Sequence, residues 1–450
     1  MDSNWRNITA GILLLLIGTP AMGVVAQQPV KRDQGWKAPG GGTPSDDLSD
    51  IKFDIESNEQ VRDFRRRCSA VEHEAVRLLR LCADGKSVDE RRAENAGWMA
   101  AGMRIHDPQA IEGLCTRLAV ADGESLGPDP LEGLLTPRQL IPIGPRAIPG
   151  MFQFVRQRRS RMEMLILAHV LSRIDRSVIG LRCEAARDAV PADAEHADYR
   201  AAVEKLGLAV NSPSLVKDER NWPSRMDHPG RFKSSFFSEF PDDPPRSAIE
   251  PEAAPSDDSN HQADTRDREA AAILSDPGKS HEFLRFRKKV EREAIGMLGR
   301  RANGEAVKER VVCDAARLLG AIRSEDFTAL KVLSQNLDLY EAIAGEPAQP
   351  LDGFVAAQAV VQIGGLRAFA GVLWSLKRPL NRKDLLIRAH ILSQFDEPKI
   401  MNWRLEHPVS TANTDTDPAT CRANFEEVRK LVSSPDLVKD RSNWPSLISQ

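Results

Sequence analysis

Residues 64–118 read FRRRCSAVEHEAVRLLRLCADGKSVDERRAENAGWMAAGMRIHDPQAIEGLCTRL, and residues 283–337 read FLRFRKKVEREAIGMLGRRANGEAVKERVVCDAARLLGAIRSEDFTALKVLSQNL. Laid on each other without a gap, the two stretches agree at 18 of 55 positions, far more than chance provides. Val71 pairs with Val290, Glu72 with Glu291, Ala75 with Ala294, Gly85 with Gly304, Arg91 with Arg310 and Asp107 with Asp326. Beyond them the register slips by small insertions, so that Ile143-Gly144 meets Ile363-Gly364 and Ala168-His169 meets Ala389-His390. The match closes on LVKDERNWPS at 215–224 against LVKDRSNWPS at 437–446, which share eight of ten residues. The sequence therefore predicts two homologous modules, 61–224 and 281–450.

Within both modules the apolar residues recur at helical spacing. Val307, Val311, Ala315, Leu318, Leu319 and Ile322 mark one helix face, and Leu385, Ala389, Leu392 and Phe395 mark another. Ser160 with Glu163, and Asn381 with Asp384, stand at equivalent places, each a capping residue followed three positions later by a carboxylate. Such a pair satisfies two orphan backbone donors at a helix start and sets negative charge at the positive end of the dipole. Breaks at Gly85, Gly304, Pro128, Pro137, Pro350 and Pro379 predict helices of about 12–18 residues. Aromatic residues make up only 5% of the chain, which disfavours strands. The expected fold class is all-α.

Composition bounds the rest. The 62 basic residues nearly balance 65 acidic ones, so no global field draws in nucleic acid, and none is expected as a partner. Residues 1–26 carry Arg6, an apolar run from Ile8 to Ile17, and Val24-Val25-Ala26, the pattern of a signal peptide cleaved after Ala26. Export, secreted or periplasmic, is the expectation. The alternative is an anchor formed by residues 8–26, the one route to a membrane. Residues 27–60 read as a disordered tail and residues 225–280 as a disordered acidic linker. The stretch 241–270 holds five prolines, nine acidic residues and Ile249 as its one large aliphatic, too little apolar surface to offset ordering entropy. Six cysteines, Cys68, Cys82, Cys115, Cys183, Cys313 and Cys421, lack zinc-ribbon spacing and read as buried structural residues.

The stretch 353–398, GFVAAQAVVQIGGLRAFAGVLWSLKRPLNRKDLLIRAHILSQFDEP, resembles HEAT or armadillo-type repeats. Ala356, Ala357, Val360, Ile363, Gly364, Ala368, Ala370 and Leu373 fill the pattern of an alanine-rich first helix, an Ile-Gly corner and a second helix. Residues 307–333 are similar, and the first module retains Ile143, Gly144, Ala147, Ala168, Leu171 and Ile174. The resemblance implies stacked helix pairs, two α-solenoid-like modules with a concave partner-binding face.

Few residues suggest chemistry. His169 and His390 are duplicated, yet no carboxylate or cysteine stands at ligand spacing, which favours a histidine bonding a backbone carbonyl over a metal or acid–base role. His73-Glu74 and His281-Glu282 fall at non-equivalent places, so the repeated His-Glu constellation of a HEAT-like di-iron hydroxylase is absent. No phosphate loop, nucleophile elbow or paired Cys-x-x-Cys occurs, and no catalytic, cofactor or metal residue is nominated. Trp222 and Trp444, each before a proline, are either exposed partner anchors or seals on the last helix pair, and sealing is favoured. The basic runs Arg65-Arg66-Arg67, Arg156-Arg158-Arg159-Arg161 and Arg285-Arg287-Lys288-Lys289 place Arg66 and Arg285 on equivalent helices as contacts for an acidic polymer, a lipid headgroup or the acidic linker, or else as solvated faces. The expected function is a non-catalytic protein-interaction scaffold with an unknown protein partner. The alternatives are an all-helical exported enzyme and a membrane-anchored envelope component.

Overall fold

A computed structural model describes residues 53–118, 129–157, 159–223, 236–240, 265–324, 326–396, 398–406 and 418–448. The expected signal at 1–26, most of the tail and most of the linker lie outside them. The described residues contain no strand, only one isolated antiparallel bridge between Tyr340 and Phe354, and their regular structure is all helical.

Among the described residues, eight helices of eight residues or more form a first run: α1 (Asn58–Ala83), α2 (Glu90–Met103), α3 (Pro108–Cys115), α4 (Leu135–Ile143), α5 (Ile148–Val155), α6 (Arg161–Asp175), α7 (Ile179–Asp188) and α8 (Ala197–Asn211). After α9 (Thr265–Ser275) come α10 (Pro277–Ala302), α11 (Glu309–Ile322), α12 (Phe327–Gln335), α13 (Val355–Ile363), α14 (Gly365–Ser375), α15 (Arg382–Ser393), α16 (Pro398–Glu406) and α17 (Pro418–Ser433).

Local chemistry explains where these helices start and stop. The Ser57 side chain caps α1, and its buried residues Val61, Phe64, Cys68, Val71, Ala75 and Leu78 keep three- and four-residue spacing, which lays one apolar stripe on the core. α10 begins with Asp276 as cap and Pro277 in its first turn, and buries Phe283, Val290, Ala294 and Leu298 in the same rhythm. Both helices run to 26 residues. They exceed the expected 12–18 because the apolar period meets no breaker before the left-handed glycines Gly85 and Gly304. Asp107 and Asp326 prove to be caps, of α3 and α12. The capping boxes of Ser160 with Glu163 and of Asn381 with Asp384 both form and open α6 and α15. Pro137 falls in the first turn of α4, where a proline interrupts nothing.

Many helices pack on the next but one, α1 on α3 on α5 and α2 on α4 on α6, with the same order from α10 to α15, and neighbours pack closely as well, α1 on α2 and α10 on α11. The described residues cluster as one compact unit, and the two runs meet through α1 with α11 and α2 with α10. Short lead-in segments cross that junction in both directions. Phe53 and Ile55, inside the expected tail, are buried, and Phe53 stacks edge-on against Phe64 at 5.8 Å and Phe286 at 6.1 Å. α9, inside the expected linker, lies on α1 and α2, where Asn95 Nδ2 donates to the Leu274 carbonyl at 2.9 Å. Phe237, in the turn at 236–240, is also fully buried. Window composition hid these anchors, because one buried aromatic or branched side chain contributes about 1.5–3 kcal/mol and can order a short polar segment.

The C-termini of α2 and α11 converge at the junction and turn their negative dipole ends toward each other. Both end on a left-handed arginine, Arg104 at φ 55° and Arg323 at φ 53°. Each reaches across: Arg104 Nη1 donates to the Arg323 carbonyl at 3.4 Å, and Arg323 Nη1 to the Met103 carbonyl at 3.0 Å. Arg287, from α10, donates to the carbonyls of both Gly102 and Ile322. Three guanidinium groups therefore satisfy two helix ends that would otherwise repel.

Candidate functional site

Beside this junction a second charged cluster forms. Asp175 ends α6 and Asp396 follows α15, and two arginines each hold both carboxylates. Arg182 Nε reaches Asp175 at 3.2 Å while its Nη2 meets Asp396, and Arg404 contacts Asp396 at 2.8 Å and Asp175 at 2.6 Å. The Asp175 side chain is fully shielded, and those of Arg404 and Asp396 are 6% and 9% exposed. No single pair in the sequence suggests this quartet, although a repeated signal exists: both aspartates close the matching segments LSRID and LSQFD.

Arg182, Asp396 and Arg404 of the quartet form one wall of a cavity of about 330 Å³ lined by residues of both runs. Arg146 stands in another wall and donates from Nη1 and Nη2 to the carbonyls of Gln362 and Val361, both at 2.6 Å. Gly364, at φ 55°, permits this approach, because a Cβ there would collide with the guanidinium. Burial, and then the nearby Arg323, lower the Arg146 pKa to about 10. Phe369, Phe395 and Leu366 supply apolar lining.

His106 joins this cavity to a cleft of about 850 Å³ that follows α1 past His73, Val76 and Arg80. That cleft shares Ser69, Glu72 and Arg323 with a further cleft of about 480 Å³, so one groove runs along the outer face of α1. Its charges are unevenly matched. Arg80 pairs with Asp107, Arg323 with Glu72 at 2.7 Å, and Arg317 with Asp314 and Glu341. Arg62, Arg65 and Arg66 are exposed and form no ion pair or hydrogen bond with any described residue. The predicted contact Arg66 thus lies in the groove, whereas its counterpart Arg285 is exposed on α10 outside the clefts.

The repeated tails fold into matching hooks. Trp222 and Trp444 are extended, at ψ 117° and 119°, and their Nε1–H groups donate to the carbonyls of Val216 and Val438, both at 2.8 Å. Trp444 is buried and presents no face to a partner, while Trp222 is half-buried. His169 and His390 fasten the hooks, since Nε2 of each lies 2.9 Å from the carbonyl of Asn221 or Asn443. A carbonyl only accepts, so the ring must donate from Nε2–H. The candidate histidines therefore hold the residue just before each candidate tryptophan, at the ends of the runs and away from the groove.

Burial lowers the pKa of His169 and His390 from the ordinary 6.5, against the raising effect of those carbonyl bonds, and burial followed by Arg323 and Arg146 lowers that of His106. Neutral imidazole in the folded state contributes stability that is fully present above about pH 6.5 and is lost as pH falls through the lowered values. Denaturant midpoints should hence decline below pH 6.5, and a His169→Gln/His390→Gln chain should show a shallower decline between pH 6.5 and 5. An unchanged slope would refute the assignment.

All six cysteines are free thiols, and burial pushes those of Cys68 and Cys183 up to about 12, which makes them poor nucleophiles. Among the described residues no three His, Cys, Asp or Glu side chains gather as a metal would require, and no helix is long and apolar enough to cross a membrane. Residues 8–26 lie outside the described residues. No family model, curated protein or solved structure matches the chain.

Proposed function

We propose that this protein is a non-catalytic interaction scaffold of two duplicated HEAT-like modules, acting outside the cytoplasm, that receives an extended acidic segment of a partner protein in the groove along α1. The observation that carries this reading is the unpaired trio Arg62, Arg65 and Arg66 beside Arg317 and Arg323. Exposed guanidinium groups lose little by remaining solvated, so their contribution is to steer and orient carboxylates rather than to supply most of the affinity. Next-but-one packing, and helices of 26, 14 and 9 residues recurring in the same order, support the duplication and the repeat-like stacking. Export rests on residues 1–26, whose pattern is that of a signal peptide.

A fluorescent glutamate-rich peptide should bind the full chain, and its affinity should fall with added salt. The triple variant Arg62→Glu/Arg65→Glu/Arg66→Glu should weaken that binding by about tenfold or more. Arg285→Glu, outside the groove, should change it little. Equal losses from both variants, or no binding at low salt, would overturn the reading.

A further inference from the structure

We propose that the cavity between the two helical runs is a binding site for a small monoanion with an apolar body, an aliphatic or aromatic carboxylate, whose charge is received by Arg146. This site is independent of the groove reading.

The charge inventory of the cavity selects the sign of the ligand. Arg182 and Arg404 are matched one for one by Asp175 and Asp396, and each guanidinium is shared between both carboxylates. Arg146 has no such partner: both of its hydrogen bonds go to backbone carbonyls, which carry no net charge. A half-buried guanidinium without a counter-ion has lost part of its hydration, and an anion arriving in the cavity offsets that loss. The neighbouring charges add to the demand, since Arg323 acts on both Arg146 and His106, and the one carboxylate in the lining, Asp396, is already committed.

The remaining walls select the body of the ligand. Pro145, Pro149, Leu366, Phe369 and Phe395 line the cavity, and Arg404 lies over the Phe369 ring at 6.0 Å, which ties the charged wall to the apolar one. Leu366 is 37% exposed, an apolar side chain left partly in water at the cavity edge. A volume of about 330 Å³ lies at the small end of ligand cavities and suits a compact acid better than a nucleotide. A dianion such as inorganic phosphate fits poorly, because a single unmatched guanidinium leaves its second charge uncompensated beside Asp396. A neutral analogue gains from the walls alone and leaves Arg146 unpaired.

Titration calorimetry of the full chain with benzoate, hexanoate, benzyl alcohol and inorganic phosphate tests the assignment. Benzoate or hexanoate should bind, and benzyl alcohol and phosphate should each bind at least about tenfold more weakly. Arg146→Gln should weaken carboxylate binding by about tenfold or more. Should that variant fail to fold, Leu366→Trp, at a half-solvated position, should fill the cavity mouth and abolish binding while the helical signal stays intact. Arg62→Glu/Arg65→Glu/Arg66→Glu should bind the carboxylate as the parent does, so failure of the groove leaves this site standing. The proposal falls if no carboxylate binds, if phosphate or benzyl alcohol binds as tightly as benzoate, if folded Arg146→Gln binds benzoate as the parent does, or if folded Leu366→Trp retains binding.

Discussion

An Asp175→Ala chain should lose about 3–5 kcal/mol of folding stability, measured as a shift in urea unfolding against the parent chain. The Asp175 carboxylate is fully shielded and receives Arg182 and Arg404 together. Its removal leaves two guanidinium groups on Asp396 alone, one of them on a side chain only 6% exposed. An uncompensated buried charge costs far more than the pair itself contributes, because the arginine keeps its desolvation penalty and loses its partner. The same reasoning makes the penalty recoverable. Asp175→Leu combined with Arg404→Met removes a charge of each sign and should restore most of the loss, since well-packed apolar groups often replace a buried ion pair at little cost. A loss below about 1 kcal/mol in Asp175→Ala would mean that the quartet is solvated and contributes as a surface pair does.

Gly113→Ala should cost about 3 kcal/mol, near the upper end for overpacking, although alanine is the better helix former. Gly113 lies in α3 where that helix crosses α1, and a Cβ would fall well inside the contact radius of the Leu79 carbonyl oxygen. That obstacle is backbone of a 26-residue helix and cannot swing aside as a side-chain end would. The two helices would have to separate, and the contacts of Leu79 and Leu114 would be lost with the movement. Gly296, on α10, supplies the contrast, because a Cβ there meets nothing within 4 Å. Gly296→Ala should stabilise by about 0.5–1 kcal/mol through helix propensity alone. Opposite signs for the two substitutions are the expected result, and a similar tolerance of both would contradict the close crossing of α1 and α3.

Much of the helical organisation was legible in residue order. Ser160 with Glu163 and Asn381 with Asp384 open helices where their spacing says they should, because a capping box is a four-residue interaction that depends on little else. Lengths were less legible. Proline and glycine positions suggested short segments, yet α1 and α10 continue to the first glycine held in the left-handed region. The duplicated histidines and tryptophans were visible as residues, and a carbonyl role for the histidines was anticipated. That the carbonyl belongs to the asparagine just before each tryptophan depends on how the hook folds back.

The groove was half legible. The run Arg65-Arg66-Arg67 is obvious in sequence, but α-helical rotation splits it: Arg65 and Arg66 face the groove, while Arg67 turns to Asp63 and to Glu269 of α9. Arg285 repeats Arg66 in the alignment without repeating its surroundings.

Sequence alone determined what is local or repeated in this protein: helical periodicity, the caps, and the matched hooks LVKDERNWPS and LVKDRSNWPS. These depend on contacts within a few residues, and the chain displays them directly. Only the tertiary structure decided that the two runs close on each other and that Phe53 and α9 cross between them. It alone joined Asp175, Arg182, Asp396 and Arg404, and set Arg146 against Gly364. Contacts between residues as far apart as 179 to 229 positions leave no period in the sequence. They follow from which faces remain apolar or charged after each helix has formed, and from the cost of leaving a helix end or a guanidinium unsatisfied.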